Sequence, residues 1–315
     1  MKDCGVANIG KFQDPARTAK GEPRATVGLG AVQTLWFNTG TLCNITCTNC
    51  YIDSSPTNDA LVYLTADEVR SYLDQITARE WAVREIAFTG GEPFMNPQMI
   101  DMTEAALERG YDVLILTNAM QPMMRKKMQD GLKRLNATYP RKLLLRVSVD
   151  HFRPEVHDAE RGIGAFDKTL KGMKWLRDND VAMAVAGRSV FGDSDPESRN
   201  GYAAFYAEHG FSIDAHNPGV TVLFPEMDET QEVPEITTAC WDILGKSPDA
   251  VMCSNSRMVV KRKGAETPAV LACTLLPYDP QFEMGATLEE AERDVALNHP
   301  HCAKFCVLGG ASCSA

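Results

Sequence analysis

Cys43, Cys47 and Cys50 stand in the order Cys-x3-Cys-x2-Cys. Three thiolates on one short loop can bind three corners of an iron–sulfur cube, because soft thiolate ligands suit such clusters. A four-iron cluster held this way keeps one iron open, where a small molecule can chelate it. The competing assignment is a structural zinc site, which wants four ligands and usually Cys-x2-Cys or Cys/His pairing. After a long stretch without cysteine, Cys240, Cys253, Cys273, Cys302, Cys306 and Cys313 crowd the C-terminal quarter, and Cys4 stands alone near the start. In a secreted chain an even count of 10 Cys would first suggest disulfides. The stretch from Met1 to Gly10 lacks the basic-then-apolar order of a signal peptide, so reduced, metal-binding thiols are favoured.

Composition narrows the setting. The chain has 315 residues, 32 Lys+Arg against 42 Asp+Glu, a net charge of -10, 44% hydrophobic and 23% charged residues. Those proportions supply a sizeable core and exclude a disordered chain or a disulfide-stapled miniprotein. The acidic balance argues against a broad nucleic-acid footprint, which needs clustered Lys and Arg. No apolar run approaches the roughly 18 residues of a membrane span. The expectation is a cytoplasmic protein without nucleic-acid or membrane partners.

The elements that must position the cysteines follow from periodicity. Residues 1–30 read as an N-terminal arm. Val32 to Phe37 is a first strand, with the Cys loop directly after it. Thr65-Ala-Asp-Glu68 is a capping box that opens a helix to about Arg79. Strands are expected at Glu85 to Thr89, Asp112 to Thr117, Leu143 to Val149, Val181 to Ala186 and Val220 to Phe224. Helices are expected at Asn96 to Arg109, Met123 to Leu135, Phe166 to Arg177 and Glu197 to Glu208. Apolar strands alternating with amphipathic helices imply a parallel sheet covered by helices. Six βα units are too few for a closed eight-stranded barrel, so the fold class is α/β, an open partial (β/α)6 TIM-like barrel. Beyond Pro234 the alternation stops. Met258 to Lys263 and Ala269 to Leu275 form a hairpin, and Thr287-Leu-Glu-Glu290 caps a last helix. The expected division is 1–30 arm, 31–233 barrel and 234–315 C-terminal module.

Barrels of this kind carry their chemistry on the loops after the strands. The Cys loop, Gly90-Gly91-Glu92-Pro93, Asn118, Ser148, Asp150 and Arg188 all fall there. In order and separation, the Cys motif and the Gly-Gly-Glu-Pro turn resemble the radical S-adenosylmethionine (SAM) enzymes, over about Ala31 to Glu226. The resemblance implies a [4Fe–4S] cluster on Cys43, Cys47 and Cys50 whose fourth iron is chelated by SAM. Electron transfer then cleaves SAM to methionine and a 5′-deoxyadenosyl radical, which abstracts a substrate hydrogen. Gly90, Gly91, Glu92 and Pro93 match the turn that binds the SAM amino group. Asn118, Ser148 and Asp150 match holders of the ribose and methionine parts, and Arg188 a carboxylate partner. Relatives often carry an aromatic residue just before the third cysteine; here Asn49 stands there and Tyr51 follows Cys50.

The C-terminal cysteines resemble the auxiliary-cluster extensions called SPASM or twitch domains, with Cys253 and Cys273 at the outer ends of a hairpin. The resemblance implies one auxiliary [4Fe–4S] cluster on Cys253, Cys273, Cys302 and Cys306, with Cys313 as alternate ligand. A second auxiliary cluster would be poor in ligands. Cys240 is read as a packed thiol, a ligand or a hydrogen-atom donor to a substrate radical, and Asp150 as a polar catalytic group or the start of a loop. His157 is read as structural rather than catalytic.

The resulting functional reading is a radical SAM enzyme, with a flavodoxin or ferredoxin as electron donor. Its expected reaction is auxiliary-cluster-assisted oxidation or rearrangement of a small molecule, since no peptide-binding domain is evident. The alternatives are a peptide maturase and a non-enzymatic zinc or iron–sulfur scaffold.

Overall fold

In the computed structural model, residues 10–225, 228 and 230–309 are described. The first element, β1 (Thr26–Val27), belongs to an arm fixed by the buried Arg24–Glu235 ion pair at 2.6 Å. Next come β2 (Thr34–Asn38) and α1 (Ala66–Ala78). The Thr65/Glu68 capping box expected from the sequence is present, each side chain bonding the other's backbone N–H. The run continues with β3 (Glu85–Thr89), α2 (Met99–Glu108), β4 (Asp112–Thr117), α3 (Lys126–Thr138) and β5 (Leu143–Ser148). Then follow α4 (Pro154–Arg161), α5 (Ala165–Asp178), β6 (Ala182–Arg188), α6 (Asp195–His209) and β7 (Thr221–Phe224).

Strands β2 to β7 lie side by side in chain order, every pair parallel. Their side chains are largely buried on both faces, as expected of parallel strands covered by helices. Register brings the strand ends Asn38 and Thr89 level, so the loops that follow emerge at one rim. The sheet does not close, and the fold is the open partial barrel expected from the alternation of elements.

The C-terminal part comprises α7 (Cys240–Leu244), β8 (Ser256–Val260), β9 (Ala269–Leu271), β10 (Glu283–Gly285) and β11 (Val295–Ala296), and it ends in a π-helical turn at Cys302–Leu308. The hairpin is β8 against β9, antiparallel. β8 also pairs in parallel with β2, so the hairpin extends the barrel sheet rather than standing apart from it. All five β8 residues are buried, which a strand inside a sheet requires.

One expectation is corrected. Thr287 and Glu290 form the capping contacts, yet no helix follows them. The carbonyls of Ala291 and Arg293 accept hydrogen bonds from Arg257 instead. The last helical element is the turn bearing Cys302 and Cys306. Among the described residues, no helix is long and apolar enough to cross a membrane.

Candidate active site

A cavity of about 180 Å³ opens at the rim of the sheet. Cys43, Cys47 and Cys50 border it, all three free of disulfides. Gly90, Gly91, Asn118, Ser148, Asp150 and Arg188 border it too, so six of the expected cofactor contacts converge on the thiols. Among the described residues, no three His, Cys, Asp or Glu side chains gather tightly enough for a lone ion. All three thiols open onto this one space.

The Cys loop is held from both sides. Cys43 N–H donates to Ser55 O at 3.0 Å and Thr48 N–H to Glu160 O at 2.9 Å. The Gly-Gly turn presses against residues 40–42: Gly91 N–H donates to Gly40 O and Glu92 N–H to Leu42 O. A Cβ on Gly90 would lie 2.6 Å from Gly40 O, and one on Gly91 2.3 Å from Leu42 O. Both positions therefore need glycine for space, and Gly90, at φ +148, needs it for backbone angle as well.

Burial pushes the Cys43 thiol up to about 12, reinforced by Glu92 and the other two thiols. Burial raises Cys47 as well, against the pull of Arg161. Iron must therefore displace protons when it binds. Soft, adjacent thiols beside an open cavity fit a cluster that leaves one corner for a second ligand.

Glu92 directly follows the two glycines that border the cavity. It is 2% exposed and does not border the cavity. One carboxylate oxygen accepts from Thr117 Oγ1 at 2.8 Å and Phe94 N at 3.2 Å, the other from Asn118 N at 2.8 Å. Burial raises its pKa to about 7, against the pull of those hydrogen bonds. Glu92 clamps the end of β4 to the Gly-Gly turn and so positions Asn118. Asn118 in turn donates to Asn44 Oδ1 at 2.9 Å, inside the Cys loop. Pro93 is buried behind the turn, where it starts a 3₁₀ segment.

Asp150, read from the sequence as a candidate catalytic group, borders the cavity as a paired carboxylate. Arg161 grips it through two bonds of 2.7 and 2.9 Å. Burial works against its charge, but Arg161, His157 and Arg188 outweigh burial and hold the carboxyl below its usual range. This pairing works against proton uptake by the carboxylate.

Arg161 borders the cavity at the end of α4 and was missed by sequence reasoning. Its neighbour Glu160 accepts from Asn49 Nδ2 at 3.0 Å and from Arg188 at 2.9 Å. Asn49, in the place of the usual aromatic, therefore fastens the Cys loop to α4. Tyr51 borders the cavity and its hydroxyl lies 3.3 Å from Thr89 Oγ1.

His157, fully buried on α4, accepts the Asp150 N–H at 3.2 Å and plays the structural role expected of it. Burial and the Arg161 charge lower its pKa to about 4. The native state then binds fewer protons than the unfolded chain between pH 6.5 and about 4. Stability is complete above that window and falls as pH drops through it, by on the order of 3 kcal/mol. Denaturant titrations of wild type and His157→Gln across this range should show a slope that the variant loses.

The C-terminal thiols form a second group. Burial raises Cys302 well above a normal thiol, with Cys273 and Cys253 adding to it, which places the three near one another. Cys253 is pushed up by burial to about 11, and Cys273 Sγ accepts the Leu275 N–H at 3.4 Å. Cys306 lies on the same π-helical turn as Cys302. Leu275 and Phe305, each within two residues of one of these cysteines, border the first cavity. Phe305 stacks on Phe224 of β7 at 5.7 Å. Cys240 does not border the cavity, and its Sγ accepts the Thr237 N–H at 3.3 Å. That position suits a packing or ligating thiol, not a hydrogen donor to a substrate at the cavity. Cys313 and Cys4 lie outside the described residues.

Comparison with known proteins agrees with this geometry. The AlbA protein of antilisterial bacteriocin subtilosin biosynthesis from Bacillus subtilis (strain 168) is 34% identical over 150 residues, 47% of this chain and 31% of AlbA. An AdoMet-dependent heme synthase from Methanosarcina barkeri (strain Fusaro / DSM 804) is 29% identical over 147 residues, 45% of this chain and 38% of the synthase. The chain thus matches about a third of the length of these relatives. Streptococcus suis SuiB bound to S-adenosylmethionine superposes with TM-score 0.58 at 13% identity, over 82% of this chain and 64% of SuiB. The anSMEcpe structure with bound AdoMet gives TM-score 0.57 at 16% identity, over 82% and 80%. The family model for the radical SAM superfamily matches residues 37–197, about half of the chain. With that match spanning both the Cys loop and the Gly-Gly turn, the chain belongs to the radical SAM superfamily of enzymes, which use SAM and a [4Fe–4S] cluster.

Proposed function

We propose that this enzyme modifies a side chain of a peptide, with a second iron–sulfur cluster on its C-terminal cysteines assisting the oxidation or cross-linking. In this reading residues 31–233 form the catalytic barrel and 234–315 the auxiliary-cluster module, with 1–30 as the arm. When bound, SAM and its cluster supply the radical that removes a substrate hydrogen. Cys43, Cys47 and Cys50 would ligate that cluster. Gly90 and Gly91 allow close approach to SAM, and Asn118 and Ser148 are its polar contacts.

The observation that carries the substrate class is the cavity wall. Leu116, Phe224, Leu275 and Phe305 give it apolar wall, while the bordering cations Arg161 and Arg188 already pair with Asp150 and Glu160. A polyanionic metabolite would lose hydration there with both cations engaged, whereas an apolar or thiol side chain would not. The AlbA relative, named for bacteriocin biosynthesis, supports the same reading. The heme synthase relative supports a small-molecule substrate of the porphyrin class as the second reading.

Short perdeuterated peptides, iron coproporphyrin III and GTP, each incubated with reduced, reconstituted enzyme and SAM, separate these readings. Deuterium transferred into 5′-deoxyadenosine from peptides is the expected result. Turnover of iron coproporphyrin or GTP with none from peptides would overturn it. Cys273→Ala should remove the auxiliary iron and stop substrate turnover while substrate-independent SAM cleavage persists. Full turnover in that variant would reject the auxiliary cluster.

A further inference from the structure

Arg257 on β8 is completely buried, at 0% exposure. Its guanidinium donates only to backbone carbonyls: Ala291 O at 3.0 Å, Cys253 O at 2.6 Å, Ser256 O at 2.9 Å and Arg293 O at 3.1 Å. Among the described residues no carboxylate pairs with it, in contrast to the buried Arg24 and Arg161. Carbonyl dipoles satisfy its N–H groups but leave its charge uncompensated, and an unpaired buried charge is costly. Arg257 thus reaches the carbonyl of Cys253, whose thiol acts electrostatically on Cys302 together with that of Cys273.

We propose that Arg257 is the built-in counter-charge of the iron–sulfur centre on Cys253, Cys273 and Cys302, and that it raises that centre's reduction potential. This rests on the auxiliary-cluster reading above. Thiolates bound to iron on Cys253 and its partner cysteines would supply the negative charge that such a guanidinium lacks, and they exist only when the centre is loaded. A fixed positive charge in a low-dielectric setting favours the more negative, reduced state of a nearby centre. The assignment also accounts for the missing helix after Thr287, since Arg257 takes the carbonyls of Ala291 and Arg293. Arg257 is a positioning and tuning residue; it touches no reacting atom.

The test is an EPR-monitored redox titration of fully reconstituted wild type, Arg257→Gln and Arg257→Lys, with iron counted in each. Arg257→Gln should shift the auxiliary midpoint to more negative potential by about tenfold in the one-electron equilibrium, about 59 mV. Arg257→Lys, which keeps the charge, should stay close to wild type. A merely structural Arg257 would leave the midpoint unmoved in a loaded Arg257→Gln protein, and that result overturns the proposal. If Arg257→Gln does not fold, Arg257→Lys still decides: a tenfold displacement there means that charge is not the cause. Wild type holding only about four irons would instead overturn the auxiliary-cluster reading itself.

Discussion

Replacing any one of Cys43, Cys47 or Cys50 with Ala is expected to abolish SAM cleavage, with 5′-deoxyadenosine falling to the limit of detection. All three thiols border the same cavity and none is tied up in a disulfide. Three is the minimum that holds a four-iron cube while leaving one iron for SAM, so losing one costs the site its geometry rather than a fraction of its affinity. Iron in the reconstituted variants should drop from about eight to about four per chain, the remainder lying on the C-terminal cysteines. Iron and product are read on the same sample, which separates loss of the cluster from loss of the fold.

Arg161→Met is expected to destabilise the protein by about 3–5 kcal/mol, because it leaves the buried Asp150 carboxylate without its partner. The damage should extend to the site. α4 carries Arg161 and also Glu160, whose carbonyl holds Thr48 and whose carboxylate holds Asn49 and Arg188. Loosening α4 therefore frees the loop between Cys47 and Cys50. In the double variant Arg161→Met/Asp150→Leu no buried charge is left unpaired, so stability should recover while SAM cleavage stays impaired. Urea denaturation together with 5′-deoxyadenosine assays checks both parts. A stable Arg161→Met protein with normal cleavage would show that α4 does not anchor the Cys loop.

The barrel was legible because its strands are short, apolar and closely bounded. Glu85–Thr89 and Asp112–Thr117 run just as periodicity places them, and the Thr65/Glu68 box starts α1 where expected. α4 was hidden by its polarity: among its eight residues only His157 is buried, so no amphipathic stripe marks it. Its readable signals were Pro154 at the first turn and Gly162, at φ 100, just past the end. Missing α4 meant missing Glu160, which bonds Thr48 and Asn49 of the Cys loop, and Arg161, which pairs with Asp150 at the cavity. The hydrogen-bond partners of Glu92 and Asp150 were hidden for another reason. Residue type and spacing reveal that a carboxylate sits at a strand end, but not that Thr117, Asn118 or Arg161 has already claimed it. The reverse error occurred at Thr287, where a local cap formed and Arg257, distant in sequence, took the carbonyls beyond it.

The most direct test of the central claim is the EPR spectrum of the dithionite-reduced, reconstituted protein recorded with and without SAM. If three thiolates leave an iron open beside the Gly-Gly turn, SAM will change the g-values of that cluster's signal, and Cys47→Ala will abolish the change. A fully loaded wild-type protein whose spectrum is identical with and without SAM would contradict the account.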